Sequence, residues 1–586
     1  MEKRYLRRGF ALAVTAAMAF AACTQTPASS PSPSVSAAPV AKRGAGGDLK
    51  ILYWQAPTIL NPHQGTGTKD NDASRLILEP LASWGKDGTP VANTLAAEIP
   101  TVANGGVSKD FTTVTWKLRT GLKWSDGTPF TADDVVATYT YMCDEASATS
   151  TFDNCTGVKS VTAKDPNTAV VTWAAPQPFY FQWGVGSGTA ILQKAQYANC
   201  LGAKAKDCPA DQKPIGTGPY KVNTFKQGDV ITYDLNENFR DKDKPYFKTV
   251  TFKGGGDAAS AARAVFQTGD VDYAWNLQVE AAILKPMATS STTGTLVTVY
   301  SNSLERLLLN RSNPDPALGD KRGEPDTKHP FFSDKAVRRA LAMATDRATI
   351  ATQLYGDGLS GRATCNALTG PAAMVSQNTA SMDVCKFSLD NANKELDAAG
   401  WVKGSDGVRA KGGVKLKILY QTTVNALRQK TQDINKANWE KVGFSVELRS
   451  EPSTTFFTNT SPGGANHFWA DVEMFTNNGD PDPTSYLAGW TCKQATGKAN
   501  NWQFGGYERY CNADFDKIVD QLRNETDTAK RNQLAIQAND LLVSDVVIIP
   551  LIDRTQATSG VSKSLKGVDV SGWDSEMYNI ADWSKG

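Results

Sequence analysis

Two sets of carboxylates stand at spacings that could do chemistry. Asp133 and Asp134 are adjacent at the head of an amphipathic stretch, and Asp480 and Asp482 punctuate Gly479-Asp480-Pro481-Asp482-Pro483. Paired carboxylates act as general acid and base when their surroundings push their pKa values apart. The local sequence favours other work for both pairs. Thr131 followed by Asp134 is a capping box, and acidic side chains in a first helical turn are stabilised by the helix dipole. Gly-Asp-Pro-Asp-Pro is turn chemistry in any protein. The chain has only three histidines, His63, His329 and His467, and contains no H-E-x-x-H, no G-x-x-x-x-G-K-[ST] and no G-x-S-x-G. Gly254-Gly255-Gly256 lacks the strand-to-helix setting of a nucleotide site. The residues therefore predict a protein without catalytic function, cofactor or metal, with a secreted hydrolase using Asp480 or the Asp133/Asp134 pair as the rival reading.

The elements around these groups read clearly. Val114, Trp116 and Leu118 alternate with Thr115, Lys117 and Arg119 as in a half-buried strand, Asp126-Gly127 turns the chain, and the helix after Thr131 lays Val135, Val136, Tyr139 and Met142 on one face. Residues 49–54 form a strand, residues 161–173 a hairpin around Asp165-Pro166-Asn167, and residues 257–267 a helix ending at Gly269. Ser333 is expected to cap a helix with Val337, Leu341 and Ala344 as its stripe, and Asp346 to restart it. A hairpin turns at Asp406-Gly407. Residues 416–420, a helix over 424–442 with Gly443 as its stop, and residues 444–448 read as a β–α–β unit.

The N-terminus is built for export. Lys3, Arg4, Arg7 and Arg8 precede an apolar run from Phe10 to Ala22, too short to span a bilayer, which reads as a signal peptide over 1–22. Arg7-Arg8-Gly9-Phe10 also looks like a twin-arginine export motif. Ala21-Ala22-Cys23 resembles a bacterial lipobox, with Phe20 where Leu is usual, so Cys23 is expected to carry lipid. Residues 23–47, rich in Pro, Ser, Ala and Gly, would be a disordered tether. Beyond residue 22 the chain holds 58 basic and 59 acidic residues, which gives no footprint for nucleic acid. Eight further cysteines fall into local pairs, Cys143 with Cys155, Cys200 with Cys208, Cys365 with Cys385 and Cys492 with Cys511. In an oxidising compartment sequential disulfides are expected.

The stretch 121–141, GLKWSDGTPFTADDVVATYTY, resembles the W-S-D-G-x-P-h-x-A-x-D-V signature of the family 5 extracytoplasmic solute-binding proteins of ABC importers, which include oligopeptide and dipeptide binders. Gly216-Thr217-Gly218-Pro219-Tyr220, Gln267-Thr268-Gly269-Asp270-Val271-Asp272, Pro330-Phe331 through Asp346-Arg347, and Ile549-Pro550-Leu551 extend the resemblance from Asp48 to the C-terminus. It implies an α/β chain with the two-lobed periplasmic-binding-protein type II fold and an additional, mainly antiparallel subdomain. The expected layout is lobe I over 48–92, subdomain II over 93–209, lobe I again over 210–300, an α/β lobe III over 301–549, and a return to lobe I over 550–586. The implied role is capture of a peptide between hinged lobes and delivery to the membrane subunits of an ABC permease. The protein would be a lipid-anchored monomer on the periplasmic or cell-surface face of a bacterial membrane. A non-peptide solute, oligosaccharide or opine-like, is the alternative.

Candidate ligand contacts follow from aromatic, amide and charged side chains at strand ends. They are Tyr53 and Trp54, Trp275 and Asn276, Glu305 and Arg306 on the crossing strand, and Asn477, Asn478, Asp480 and Trp490 in the stretch 472–490, with Trp502 a weaker candidate for the apolar wall. Glu305 and Arg306 read equally as an ion pair near a hinge. Aligned on Pro483-Thr484-Ser485-Tyr486-Leu487, the aspartate that receives a peptide ammonium in many peptide binders of the family is Gly479 here, with Asp480 beside it.

Overall fold

The structure, a computed structural model, describes residues 42–65, 67–457, 463–500, 502 and 505–586. The expected signal peptide, Cys23 and most of the tether lie outside the described residues. Residues 43–47, expected at the end of the tether, are already tied down: Gly44 and Gly46 donate to the carbonyls of Pro245 and Tyr246 at 3.0 and 2.9 Å.

In chain order, β1 (Asp48–Tyr53) leads through α1 (Thr68–Arg75) to β2 (Thr113–Lys117), α2 (Ala132–Met142), β3 (Val158–Asp165) and β4 (Thr168–Trp173). β5 (Tyr220–Lys226), β6 (Val230–Leu235), β7 (Thr249–Gly254) and the short β8 (Tyr273–Trp275) follow, then the long β9 (Gly294–Leu309). The remainder supplies α3 (Lys335–Met343), β10 (Gly361–Ala363), β11 (Lys417–Thr423), α4 (Ala426–Lys441), β12 (Ser445–Glu451), β13 (Val472–Gly479) and the long β14 (Ile548–Ser562).

One mixed sheet of eleven strands runs β12-β11-β13-β9-β14-β8-β1-β7-β6-β5, with β10 added to β14. β1 is parallel to both β8 and β7, β11 is parallel to β12 and β13, and β9 and β14 lie antiparallel at the centre. β11, α4 and β12 realise the predicted β–α–β unit. β2, β4 and β3 form a separate antiparallel sheet. Three large apolar cores pack around these sheets. The first spans Leu304 to Ile552 and covers the β11–β13 end, the second gathers β1, β5–β8 and the C-terminal residues Met577, Ile580 and Trp583, and the third holds the small sheet and α2. Each fully buried large apolar side chain stabilises the fold by roughly 1.5–3 kcal/mol.

β9 and β14 carry the chain between the first two cores. Their ladder shifts register between Val299 and Tyr300, Tyr300 and Leu304, and Glu305 and Arg306, so backbone pairing is loosest where the strands pass from one core to the other. All four sequential disulfides are present, Cys143–Cys155, Cys200–Cys208, Cys365–Cys385 and Cys492–Cys511, each closing a short local loop.

Two local expectations shift. The cap of α3 is Asp334, whose side chain accepts from Ala336 N–H, one residue beyond Ser333. α2 buries Ala132, Val135, Thr138, Tyr141 and Met142, while Val136 and Tyr139 sit half-buried at its edge.

Candidate functional site

The carboxyl ends of β1 and β8 face the carboxyl end of β11 across a cleft of about 630 Å³. Parallel strands open at their carboxyl ends, which is where ligands enter open α/β sheets. Tyr53 and Trp275 are register partners, so their rings lie on one face and stack 4.6 Å apart, 2° from parallel. Alternation along β1 turns Tyr53 inward, where its hydroxyl donates to Asp72 at 2.7 Å, and leaves Trp54 on the cleft side. Trp54 Nε1 donates to the Asn276 carbonyl at 2.8 Å, and Asn276 takes the left-handed conformation (φ 51°) that asparagine tolerates better than most residues. Trp54, Trp275 and Asn276 thus make one wall. The opposite wall comes from Thr423, Val424, Asn425 and Arg428 at the start of α4, and from Phe457.

The floor is charged. Glu305 is buried on β9, and Arg428 grips it with two bonds, Nε to Oε1 at 2.8 Å and Nη2 to Oε2 at 3.2 Å. The Thr476 hydroxyl also donates to Glu305, and Arg554 Nη1 lies 3.5 Å from Oε2. Burial alone would raise the Glu305 carboxyl, but the two guanidinium groups and the Arg428 and Thr476 hydrogen bonds outweigh it and hold it below the usual glutamate range. One carboxylate between two guanidiniums leaves the floor with a net positive charge. Arg554 Nε is buried without a partner, so the site retains an unused donor.

Beyond Asn478, which borders both spaces, the cleft continues into a crevice of about 380 Å³ between Trp173 and Phe179 on one side and residues 477–489 on the other. Asp480 stands in it with no hydrogen bond or ion pair among the described residues. Its side chain reaches solvent, yet the crevice walls displace most of the surrounding water. That desolvation, reinforced by Asp482 and Asp574, raises its carboxyl to about 6. Asp482 is held by Arg531 and serves the turn. Gly479 faces Asn302 across the β9–β13 ladder so closely that a Cβ there would lie 2.1 Å from Asn302 Nδ2. No side chain fits at 479 unless Asn302 moves.

The remaining candidates fall elsewhere. Glu305 and Arg306 point to opposite faces of β9 and do not pair with each other; Arg306 is buried against the rings of Phe475 and Trp490. Trp490 packs in the first core against Tyr486, and Asn477 lines only the crevice. Trp502 stacks with His467 at 4.6 Å and lines neither the cleft nor the crevice. Asp133 is exposed beside Lys194, while Asp134 accepts from Thr131 N–H at 3.0 Å and Lys194 N–H at 3.0 Å, a capping role. His63 is buried between Thr151 and the Ala190 carbonyl, and burial lowers its pKa to about 4, so it is a neutral core residue. Among the described residues no cluster of His, Cys, Asp and Glu is arranged to hold a metal ion, and no helix is long and apolar enough to cross a membrane.

Sequence reasoning missed Arg428, Arg554, Gln278 and Asn425. The last two bridge the cleft mouth, Asn425 Nδ2 to Gln278 Oε1 at 2.5 Å, next to Lys430 and Glu280 at 2.6 Å.

The family description "Bacterial extracellular solute-binding proteins, family 5 Middle" matches residues 94–498, well over half of the chain. The chain belongs to this family. Among relatives of this family 5 member, the oligopeptide-binding protein AppA of Bacillus subtilis is 28% identical over 440 residues, 74% of each chain. The solved structure of B. subtilis AppA in complex with a nonapeptide superposes with a TM-score of 0.76 at 22% identity, covering 93% of this chain and 100% of AppA. NikZ from Campylobacter jejuni in complex with Ni(L-His) gives the same TM-score, 0.76, at 21% identity, covering 92% of this chain and 99% of NikZ. The fold is therefore the type II periplasmic-binding-protein fold, and the family 5 member is an extracytoplasmic binding protein, not an enzyme.

Proposed function

We propose that this protein is the binding subunit of an ABC importer, that it captures short peptides in the cleft between two hinged lobes, and that it hands them to a membrane permease. The observation that carries the reading is one continuous crevice with opposite charges at its ends. Arg428 and Arg554 stand at the Thr476 end of β13, and the unpaired Asp480 lies just past its other end. Four residues of extended strand separate Thr476 from Asp480, about 13 Å. An extended peptide of three or four residues spans that distance, its carboxylate on the guanidiniums and its ammonium on Asp480. Trp54 and Trp275 then flank the chain as an apolar wall, and the amide of Asn478 offers donors and acceptors to its backbone.

Lobe I (48–92, 210–300 and 550–586) and lobe III (301–549) close about β9 and β14. The Asn425–Gln278 and Lys430–Glu280 contacts belong to the closed form. Closure responds to ligand only in proportion to contacts made in that form and not in the open one. Cys23 carries the lipid that keeps the protein beside its permease. The peptide-binding names of relatives such as AppA support the same reading.

A second reading, a non-peptide anionic solute, is favoured by Gly479, which leaves the usual ammonium position bare. Calorimetry with tri- and tetra-alanine, each free, N-acetylated or C-amidated, separates the two. Peptide capture expects both modifications to weaken binding at least tenfold. Equal affinity for the blocked and free peptides would refute it, and loss on amidation alone would favour the non-peptide reading.

A further inference from the structure

A second cavity, of about 850 Å³, is larger than the cleft and shares no lining residue with it. It lies on the seam between two cores: Leu118 and Leu122 belong to the third, Met577 and Ile580 to the second. We propose that this cavity binds a dianionic oxyanion group, a phosphate monoester or a dicarboxylate.

The charges that line it do not cancel. Arg240 spends both guanidinium edges on Glu79, at 2.6 and 2.9 Å. Lys244 takes up the other two acids, Asp582 at 2.6 Å and Asp241 at 3.6 Å. Three cations remain. Arg119 donates only to backbone carbonyls, of Thr94 at 2.9 Å and Ala92 at 2.6 Å. Lys242 is exposed and has no hydrogen bond or ion pair among the described residues. Arg75, at the end of α1, is 3% exposed, and its Nε has no hydrogen-bond partner. The carboxylates that face Arg75 are engaged elsewhere. Glu79, 4.0 Å away, is held by Arg240 and the Thr217 hydroxyl, and Asp574 accepts backbone N–H bonds from Trp84, Ser187 and Ser575.

Guanidinium forks and an ammonium around a water-sized void match the geometry of a phosphate or carboxylate. A doubly charged group balances the excess of two cations over acids. Side chains that already hold one another, Arg240 with Glu79 and Lys244 with Asp582, keep the rim in place without a ligand, so the site is preformed. The proposal does not depend on peptide capture, because the cleft can be disabled separately.

The test is calorimetry of the full mature chain at low ionic strength with inorganic phosphate and, separately, succinate. At least one is expected to bind at one equivalent. Lys242→Glu, on an exposed side chain whose replacement leaves the fold intact, and Arg119→Gln are each expected to weaken that binding at least tenfold, while Arg428→Gln in the cleft leaves it unchanged. Phosphate alone binding assigns the site to phosphate esters, and succinate alone to dicarboxylates. The proposal is overturned if neither gives heat, if Lys242→Glu binds like the parent, or if binding disappears with Arg428→Gln.

Discussion

Replacing Glu305 by Gln tests the electrostatics of the cleft floor most directly. Glu305, Arg428 and Arg554 have side-chain exposures of 2, 11 and 10%, so water screens none of them well. Removing the one carboxylate leaves two guanidiniums facing each other in a poorly hydrated pocket. Breaking a buried pair by deleting one partner costs about 3–5 kcal/mol, because the charge left behind stays desolvated. The amide of Gln can still accept one hydrogen bond, so the lower end, about 3 kcal/mol, is expected; at 1.36 kcal/mol per decade this is roughly a hundredfold in the folding equilibrium. The sign of ligand binding should be opposite. A carboxylate-bearing peptide supplies the missing negative charge, so its affinity should rise while stability without ligand falls. Urea unfolding with and without tri-alanine reads both effects. A loss under 1 kcal/mol, or a peptide that binds the variant more weakly than the parent, refutes the account of a floor with one surplus positive charge.

Asp480→Asn should weaken binding of free-amine peptides about tenfold at pH 7.5 by calorimetry. The parent should lose affinity as pH falls through about 6, where the Asp480 carboxyl takes up its proton, and the variant should not. Gly479→Ala brings a methyl to 2.1 Å from Asn302 Nδ2 and 3.1 Å from the Tyr486 ring, and should destabilise by about 1–3 kcal/mol in thermal melts without improving peptide affinity. Glu473, fully buried on β13 with Gln421 on one oxygen, has its carboxyl raised by burial to about 8. The folded state keeps this proton where the unfolded chain has lost it, so the residue makes stability fall as pH rises from about 4.5 to 8. Glu473→Gln should remove up to about 1.4 kcal/mol per pH unit of that slope, measured by urea unfolding at pH 5.5, 6.5 and 7.5.

The legibility of the chain follows the range of the forces involved. The β–α–β unit of β11, α4 and β12 was readable because hydrophobic period, a capping residue and Gly443 all lie within some thirty positions. The disulfides were readable because each pair is local. The strand-end residues Trp54, Trp275, Asn276 and Asn478 were found because ends of strands meet in clefts, while Tyr53 went to the core by the two-residue alternation that exposes Trp54. The floor was not found, since Glu305, Arg428, Thr476 and Arg554 are brought together only by sheet order. Signals were present. Arg428 stands in the first turn of α4, where a cation opposes the helix dipole and calls for a nearby acid. Asp553 and Arg554 interrupt an otherwise apolar strand whose residues are nearly all buried. The alternation along β9 likewise excluded a Glu305–Arg306 pair, because neighbours in a strand face opposite ways.

The sheet has a consequence for biogenesis. β8, near the middle of the sequence, is hydrogen-bonded to β14, whose last residue is Ser562 of 586, so the N-terminal portion cannot satisfy that edge with anything synthesised before it. A polypeptide threaded through an export channel from its amino end would emerge with this border bare until almost the whole length had crossed. Bare strand borders invite pairing with the wrong neighbour. Secretion and completion of the fold are therefore coupled at the very end of the chain, and truncations that remove only the final strand should leave the early portion aggregation-prone instead of independently soluble.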